Sequence, residues 1–216
     1  IDPAIKFYSN SFTQLNEKFN HSSVDTVFMA LPHGVSHNFV KLYYDKLQII
    51  DLSADFRLDD IEIYKKNYNE KHSASNLLNE FQYGLVEINR DFLINKKNIA
   101  VPGCYPTSCL IPLIPLLKNE IIDSKNIIID SKSGYSGAGK KFDLENIKNS
   151  KDYNFYNYNT NSHRHICEIK QELMKHAKLS DVLFSFNPHI LPNFRGMLST
   201  MYCDLLPGMN KNNVIN

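Results

Sequence analysis

The stretch Val101-Pro102-Gly103-Cys104-Tyr105-Pro106-Thr107, followed by the apolar run from Ser108 to Leu117, places a cysteine where an extended segment turns into a helix. Pro106 suits a first helical turn, where its missing N–H leaves nothing unpaired. Gly103 permits a tight or positive-φ geometry just before the thiol. A cysteine at a helix start faces unpaired backbone N–H groups and the positive end of the helix dipole, which favour thiolate over thiol. Those residue types describe a nucleophile, although free cysteines are also among the most buried residues and often only fill space. His163 and His165, flanking Arg164, are the best partners for Cys104. Alternating residues just before a helix point to similar sides, and a helix start disfavours imidazolium, leaving the ring neutral and available as a base.

Other constellations are weaker. Gly134, Gly139 and Lys140 fit G-x-x-x-x-G-K after a strand, but Lys141 stands where a phosphate loop needs Ser or Thr to hold magnesium. The alternative is a loop of backbone N–H groups facing an anion or a carbonyl. A metal site built from Cys104, Cys109, His163 and His165 is conceivable by ligand type, but the spacings match no common zinc module. Arg195, in a Pro-Asn-Phe-Arg-Gly turn, is a candidate clamp for an anionic substrate.

The elements that must hold these residues can be read from hydrophobic spacing. Val24–Leu31 reads as a strand buried on both faces and is broken by Pro32-His33-Gly34. Val35–Leu47 has helical spacing with Ser36 as its cap, and Gln48–Leu52 is the next strand. That β-α-β unit implies a parallel sheet. Its loops, Pro32-His33-Gly34 and Ser53 to Arg57, lie where such sheets bind ligands. A short helix is expected over Ile61–Lys66 and a strand over Asn98–Val101; the helix after Cys104 should kink or end early at Pro112 or Pro115. Asn126–Asp130 starts a second pattern, and Asp143–Asn161 reads as a surface excursion. A helix carries Ile166, Ile169 and Leu173 on one face. Asp181–Phe186 and Met197–Leu205 read as antiparallel strands bracketing a loop. The fold class is α/β: a partial Rossmann-type parallel sheet over residues 1–102, then an α+β catalytic and dimerisation domain with a mixed or antiparallel sheet over 103–216.

At 216 residues, 43% hydrophobic and 22% charged, the chain is of ordinary globular composition. A net charge of +1 gives no electrostatic case for nucleic acid or an anionic membrane. No apolar stretch reaches the ~20 residues of a membrane span. Four cysteines without a C-x-x-C pair suit a reducing cytoplasm.

Taken together, several stretches resemble the semialdehyde dehydrogenase family and, within it, the N-acetyl-γ-glutamyl-phosphate reductases of arginine biosynthesis. They are Ala30–Ser36, Asp51–Leu58, Tyr83-Gly84-Leu85, Pro102–Thr107, Ser133–Lys140, His163–Ile169, Pro188-His189 and Arg195-Gly196. The resemblance implies attack of Cys104 on an acyl phosphate, loss of phosphate, a thioester, and hydride delivery from NADPH to give the semialdehyde. It implies His163 as acid/base partner, with His165, Ser136 and Arg195 near the substrate. Pro32, His33 and Gly34, with Gly137, Ala138 and Gly139, would lie near an NADP cofactor. A related aminoadipyl or aspartyl phosphate reductase, or an inert remnant, are the alternatives. The resemblance also implies a homodimer or homotetramer for the full-length protein. Because the family opens with a Gly-rich β-α unit and continues past residue 216, the chain reads as an internal fragment.

Overall fold

A computed structural model describes residues 21–137 and 154–215. The first half alternates strand and helix: β1 (Thr26–Met29), α1 (Ser36–Tyr43), β2 (Gln48–Asp51), α2 (Ile61–Tyr68), β3 (Phe81–Tyr83), α3 (Val86–Leu93) and β4 (Asn98–Ala100). The sheet order is β1-β2-β4-β3 and every pair is parallel. Ile49 and Ala100 on the two inner strands are fully buried. Phe28, by contrast, is 70% exposed, so β1 is not covered on both faces as its apolar run implied. Among the described residues β1 is an edge strand, and only one of its four residues is buried. Ser36 is not the cap of α1 either: Val35 takes that position, and the Ser36 hydroxyl donates to Asp55 Oδ2 instead at 2.6 Å.

The second half contains α4 (Cys104–Lys118), β5 (Ile122–Gly134), β6 (Tyr156–Asn157), α5 (His165–Ala177), β7 (Phe184–Leu191), β8 (Met197–Leu205) and a short α6 (Lys211–Ile215). α4 runs for 15 residues through both Pro112 and Pro115, so it does not end early at either. An internal proline costs about 3 kcal/mol. One face of α4, however, buries Leu110, Leu113, Ile114 and Leu117, and each such side chain contributes about 1.5–3 kcal/mol. Packing therefore wins, and Pro115 lies on the exposed side, where a carbonyl robbed of its donor meets water.

β7 and β8 run in opposite senses but do not pair with each other. β5 lies between them, parallel to β7 and antiparallel to β8, in a mixed sheet of order β6-β7-β5-β8. β7 also takes up Asn187–Leu191, which the sequence placed in a loop. A parallel β5–β7 pair needs a crossover, and α5 supplies it. Ile169 and Leu173 of α5 pack with α4 and with Ile127, Ile129 and Phe186 in one apolar core. A separate core formed by Val40, Leu47, Ile49, Phe56 and Leu77 supports the first sheet. The starts of α4 and α5 thus meet over the C-terminal edge of the parallel sheet.

Candidate active site

Cys104 is the first residue of α4 and is exposed to a cleft. Gly103 caps the helix with extended backbone (φ −65°, ψ 157°) and no side-chain cap, which leaves the first-turn N–H groups to whatever lies beside the sulfur. The glycine is therefore not there for a positive φ. A Cβ at Gly103 would sit 2.7 Å from His165 Nε2, closer than real Cβ atoms approach, and 3.0 Å from Arg57 Nη1, a tight contact. The N–H groups of Cys104 and Tyr105 and the Arg57 guanidinium favour the thiolate, but burial outweighs them and pushes the thiol above its ordinary value.

The turn is held from beneath by Glu168, fully buried on α5. Its Oε1 accepts the Gly103 N–H and the Tyr83 hydroxyl, each at 2.8 Å, and its Oε2 faces Arg57 Nη1 at 3.3 Å. Arg57 Nη2 donates to Leu52 O at 2.8 Å. One carboxylate therefore joins the loop after β2, the end of β3, the nucleophile turn and α5. Burial lifts Glu168 above the usual carboxylate range, opposed in part by Arg57 and by the N–H and hydroxyl donors.

A second buried carboxylate orders the loop after β1. Asp55 accepts the Gly34 N–H at 2.8 and 2.9 Å, Ser36 Oγ, and the Tyr64 hydroxyl at 2.7 Å. These donors hold its carboxyl below the ordinary value despite burial. Gly34 sits at φ +80°, a conformation that suits glycine. Its N–H is committed to Asp55, so this loop offers a ligand Pro32 and His33 rather than a free amide.

His163 and His165 are both 8% exposed, with ring centroids 4.7 Å apart. The His165 N–H donates to His163 Nδ1 at 3.0 Å, so a neutral His163 carries its proton on Nε2. Burial, then Arg164, press the His163 pKa down to about 4, and burial, then His163, lower His165 well below its ordinary value. Both rings are neutral near pH 7. His163 lies against Tyr105, Tyr158 and Phe186. His165 Nδ1 is buried with no partner among the described residues.

Two adjoining cavities share Cys104, Gly137, Arg164 and His165. One, about 390 Å³, also takes in Pro32, His33 and Arg57; the other, about 550 Å³, includes His163, Tyr105 and Tyr158. Both are of small-molecule size. Cys104, His163, His165, Pro32, His33 and Gly137 are thus brought together. Ala138 and Gly139 lie outside the described residues. Ser136 and Arg195 occupy neighbouring turns: Ser136 N donates to Phe194 O at 3.0 Å, and the Arg195 guanidinium stands 5.0 Å from the Phe194 ring. Neither lines the cavities that contain Cys104. Reasoning from the sequence had assigned no role to Glu168, Tyr83, Asp55, Arg57 or Arg164. For Arg57 and Asp55 the available signal was their place in the loop after β2; for Glu168 it was its place in the His163–Ile169 stretch that carries the resemblance.

Residues 3–96 match the family pattern described as semialdehyde dehydrogenase, NAD binding domain, and residues 104–216 match semialdehyde dehydrogenase, dimerisation domain. An N-acetyl-gamma-glutamyl-phosphate reductase of Caldicellulosiruptor bescii is 48% identical over 192 residues, 88% of this chain and 55% of that protein. A probable chloroplastic N-acetyl-gamma-glutamyl-phosphate reductase of Arabidopsis thaliana is 45% identical over 87% of this chain and 47% of its own length. The chain spans about half the length of these curated relatives. Aspartate semialdehyde dehydrogenase II from Vibrio cholerae shares the fold, with a TM-score of 0.68 at 15% identity, covering 92% of this chain and 61% of that one. No helix among the described residues is long and apolar enough to cross a membrane.

Proposed function

The chain belongs to the semialdehyde dehydrogenase family, and from that premise we propose that Cys104 forms the thioester in an NADPH-dependent reduction of N-acetylglutamyl 5-phosphate to the semialdehyde. The observation that carries this reading is the convergence, in one cleft, of an uncapped helix start bearing a thiol, two neutral histidines and the loops at the C-terminal edge of a parallel sheet. In the first step Cys104 Sγ attacks the acyl carbon, the carbon–oxygen bond to phosphate breaks, and the thiol proton ends on the departing phosphate. His165, whose Nε2 lies against the Cys104 turn, is read as the relay for that proton. The Cys104 and Tyr105 N–H groups stabilise the oxyanion of the tetrahedral intermediate. A nicotinamide dinucleotide, when bound, would supply the hydride that reduces the thioester.

The residues suit such a cofactor: Pro32, His33 and Gly137 line the cavity that reaches Cys104, on the side where parallel sheets bind dinucleotides. When hydride has arrived, the His163 Nε2–H donates a hydrogen bond to the developing alkoxide; the carbonyl then re-forms as the carbon–sulfur bond breaks, and a proton from solvent returns the Cys104 thiolate to the thiol. Ser136 and Arg195 are read as contacts for the far, carboxylate-bearing end of the substrate. Self-association through residues 104–216, as a homodimer or homotetramer, and a reducing cytoplasmic setting belong to the same reading. The test is NADPH oxidation dependent on N-acetylglutamyl phosphate, with the chain joined to the segments by which its relatives exceed it. Turnover should vanish in Cys104→Ser. Equal turnover with aspartyl or aminoadipyl phosphate would reject the substrate assignment.

A further inference from the structure

We propose that Gln171 of α5 is a positioning residue: its side-chain amide clamps the main chain on either side of Leu58 and so fixes where Arg57 meets the Cys104 turn. This rests on the reading of Cys104 as the acylated nucleophile. Gln171 Oε1 accepts the Asp59 N–H at 2.8 Å, and its Nε2 donates to Arg57 O at 3.0 Å. Those two backbone groups are what a strand edge presents to a neighbour, and a primary amide meets them because it carries a donor and an acceptor side by side. Nε2 also donates to Glu172 Oε1 at 2.8 Å, so only one orientation of the amide satisfies every contact. Between the clamped groups Leu58 is buried with Tyr64 and Tyr68, and Cys167 of α5 packs against them.

The other ties between this loop and α5 do not fix its place. Lys175 reaches Asp59 at 3.0 Å, but both side chains are about half-exposed or more, and such pairs contribute little. Arg57 Nη2 donates to Leu52 O, which belongs to the same loop and moves with it. Arg57 Nη1 stands 3.3 Å from Glu168 Oε2, longer than the about 2.7–2.9 Å of a close charge-assisted pair. Charge therefore draws the guanidinium toward α5, whereas the two short bonds of Gln171 hold the main chain that carries it. The placement reaches the nucleophile, because Arg57 Nη1 lies against Gly103. The guanidinium is also among the groups that favour the Cys104 thiolate. Gln171 itself lines neither cavity that contains Cys104, so it acts on the sulfur through Arg57.

The pH profile of Cys104 alkylation by iodoacetamide, read by peptide mass, tests this with the chain as it is. Gln171→Met keeps the length of the side chain and removes its bonds to the loop. With the guanidinium free to drift, the midpoint should rise by about 0.5, which slows the reaction at pH 8 about threefold. A merely structural amide would have the opposite effect, because loosened packing hydrates the thiol and brings its midpoint down toward the ordinary value. Lys175→Ala, which cuts only the outer ion pair, should leave the midpoint in place. Adding Gln171→Met to the double variant Arg57→Met, Glu168→Met should cause no further shift, since the group it positions is gone. Gln171→Asn, whose amide falls one methylene short, should shift the midpoint upward too, and it decides the matter if Gln171→Met does not fold. An unchanged or lowered midpoint overturns the assignment, as does an equal rise in the background that lacks Arg57. A wild type in which Cys104 is not alkylated at any pH overturns the nucleophile reading as well; a normal wild-type profile unmoved by Gln171→Met overturns this one alone.

Discussion

Replacing Glu168 by Gln separates the two tasks of the carboxylate beneath the nucleophile. The Gly103 N–H and the Tyr83 hydroxyl both donate to Oε1, and Arg57 Nη1 faces Oε2. A glutamine can keep its carbonyl at the first position, which leaves its NH2 against a buried guanidinium. Removing one partner of a buried ion pair costs about 3–5 kcal/mol. Arg57 retains Leu52 O and is 8% exposed, which favours the lower end, about 3 kcal/mol. For a chain of this size that corresponds to a fall in Tm of about 6–12 °C. Glu168→Ala should lose more, because each orphaned donor adds about 1–3 kcal/mol. The double variant Arg57→Met, Glu168→Met should recover much of the stability, since apolar pairs of similar volume replace buried ion pairs at little cost. It should not recover alkylation kinetics at Cys104, because Gly103 N–H still lacks its acceptor. Thermal and urea unfolding, with iodoacetamide rates alongside, measure all three. If Glu168→Gln lies within about 1 kcal/mol of wild type, the pair is not what holds the turn, and the reasoning from burial fails.

Alkylation of Cys104 should rise with pH to a midpoint above the ordinary cysteine value, because burial outweighs the N–H groups beside the sulfur; a plateau already reached below pH 8 would reject this. Asp51, fully buried and accepting from Ser53, has its pKa raised to about 6. Since the folded value exceeds the unfolded one, its contribution is complete below about pH 4 and is lost as pH rises through about 6. Asp51→Asn should therefore gain up to about 3 kcal/mol over wild type at pH 7 and nothing at pH 4, read from urea midpoints. Gly103→Ala should lose about 1–3 kcal/mol, because its Cβ meets the His165 ring, and should slow acylation of Cys104.

What the sequence discloses here follows the range of the interactions. The turn at Cys104 is legible because Pro, Gly, Cys and Pro act on their own few residues of backbone. The helical face of Ile169 and Leu173 is legible because periodicity is local too. Strand order is not written in periodicity, so β5 could not be seen to separate β7 from β8. The length of α4 was misjudged because the cost of its prolines is local, whereas the burial that outweighs it comes from α5 and the sheet. Glu168 stayed hidden for the same reason: its partner Arg57 is 111 residues away, and nothing in a polar helical position announces a buried charge.

The acceptor for the Gly103 N–H is made 65 residues later in the chain. During synthesis the thiol therefore leaves the ribosome long before the carboxylate that shapes its turn. Until α5 has been translated and docked, Cys104 is an ordinary cysteine without its histidines or its cradle. A nascent chain that stalls midway therefore presents the thiol without the oriented turn or the histidines that the folded site supplies. The long-range bond makes the reactive state a property of the finished fold alone.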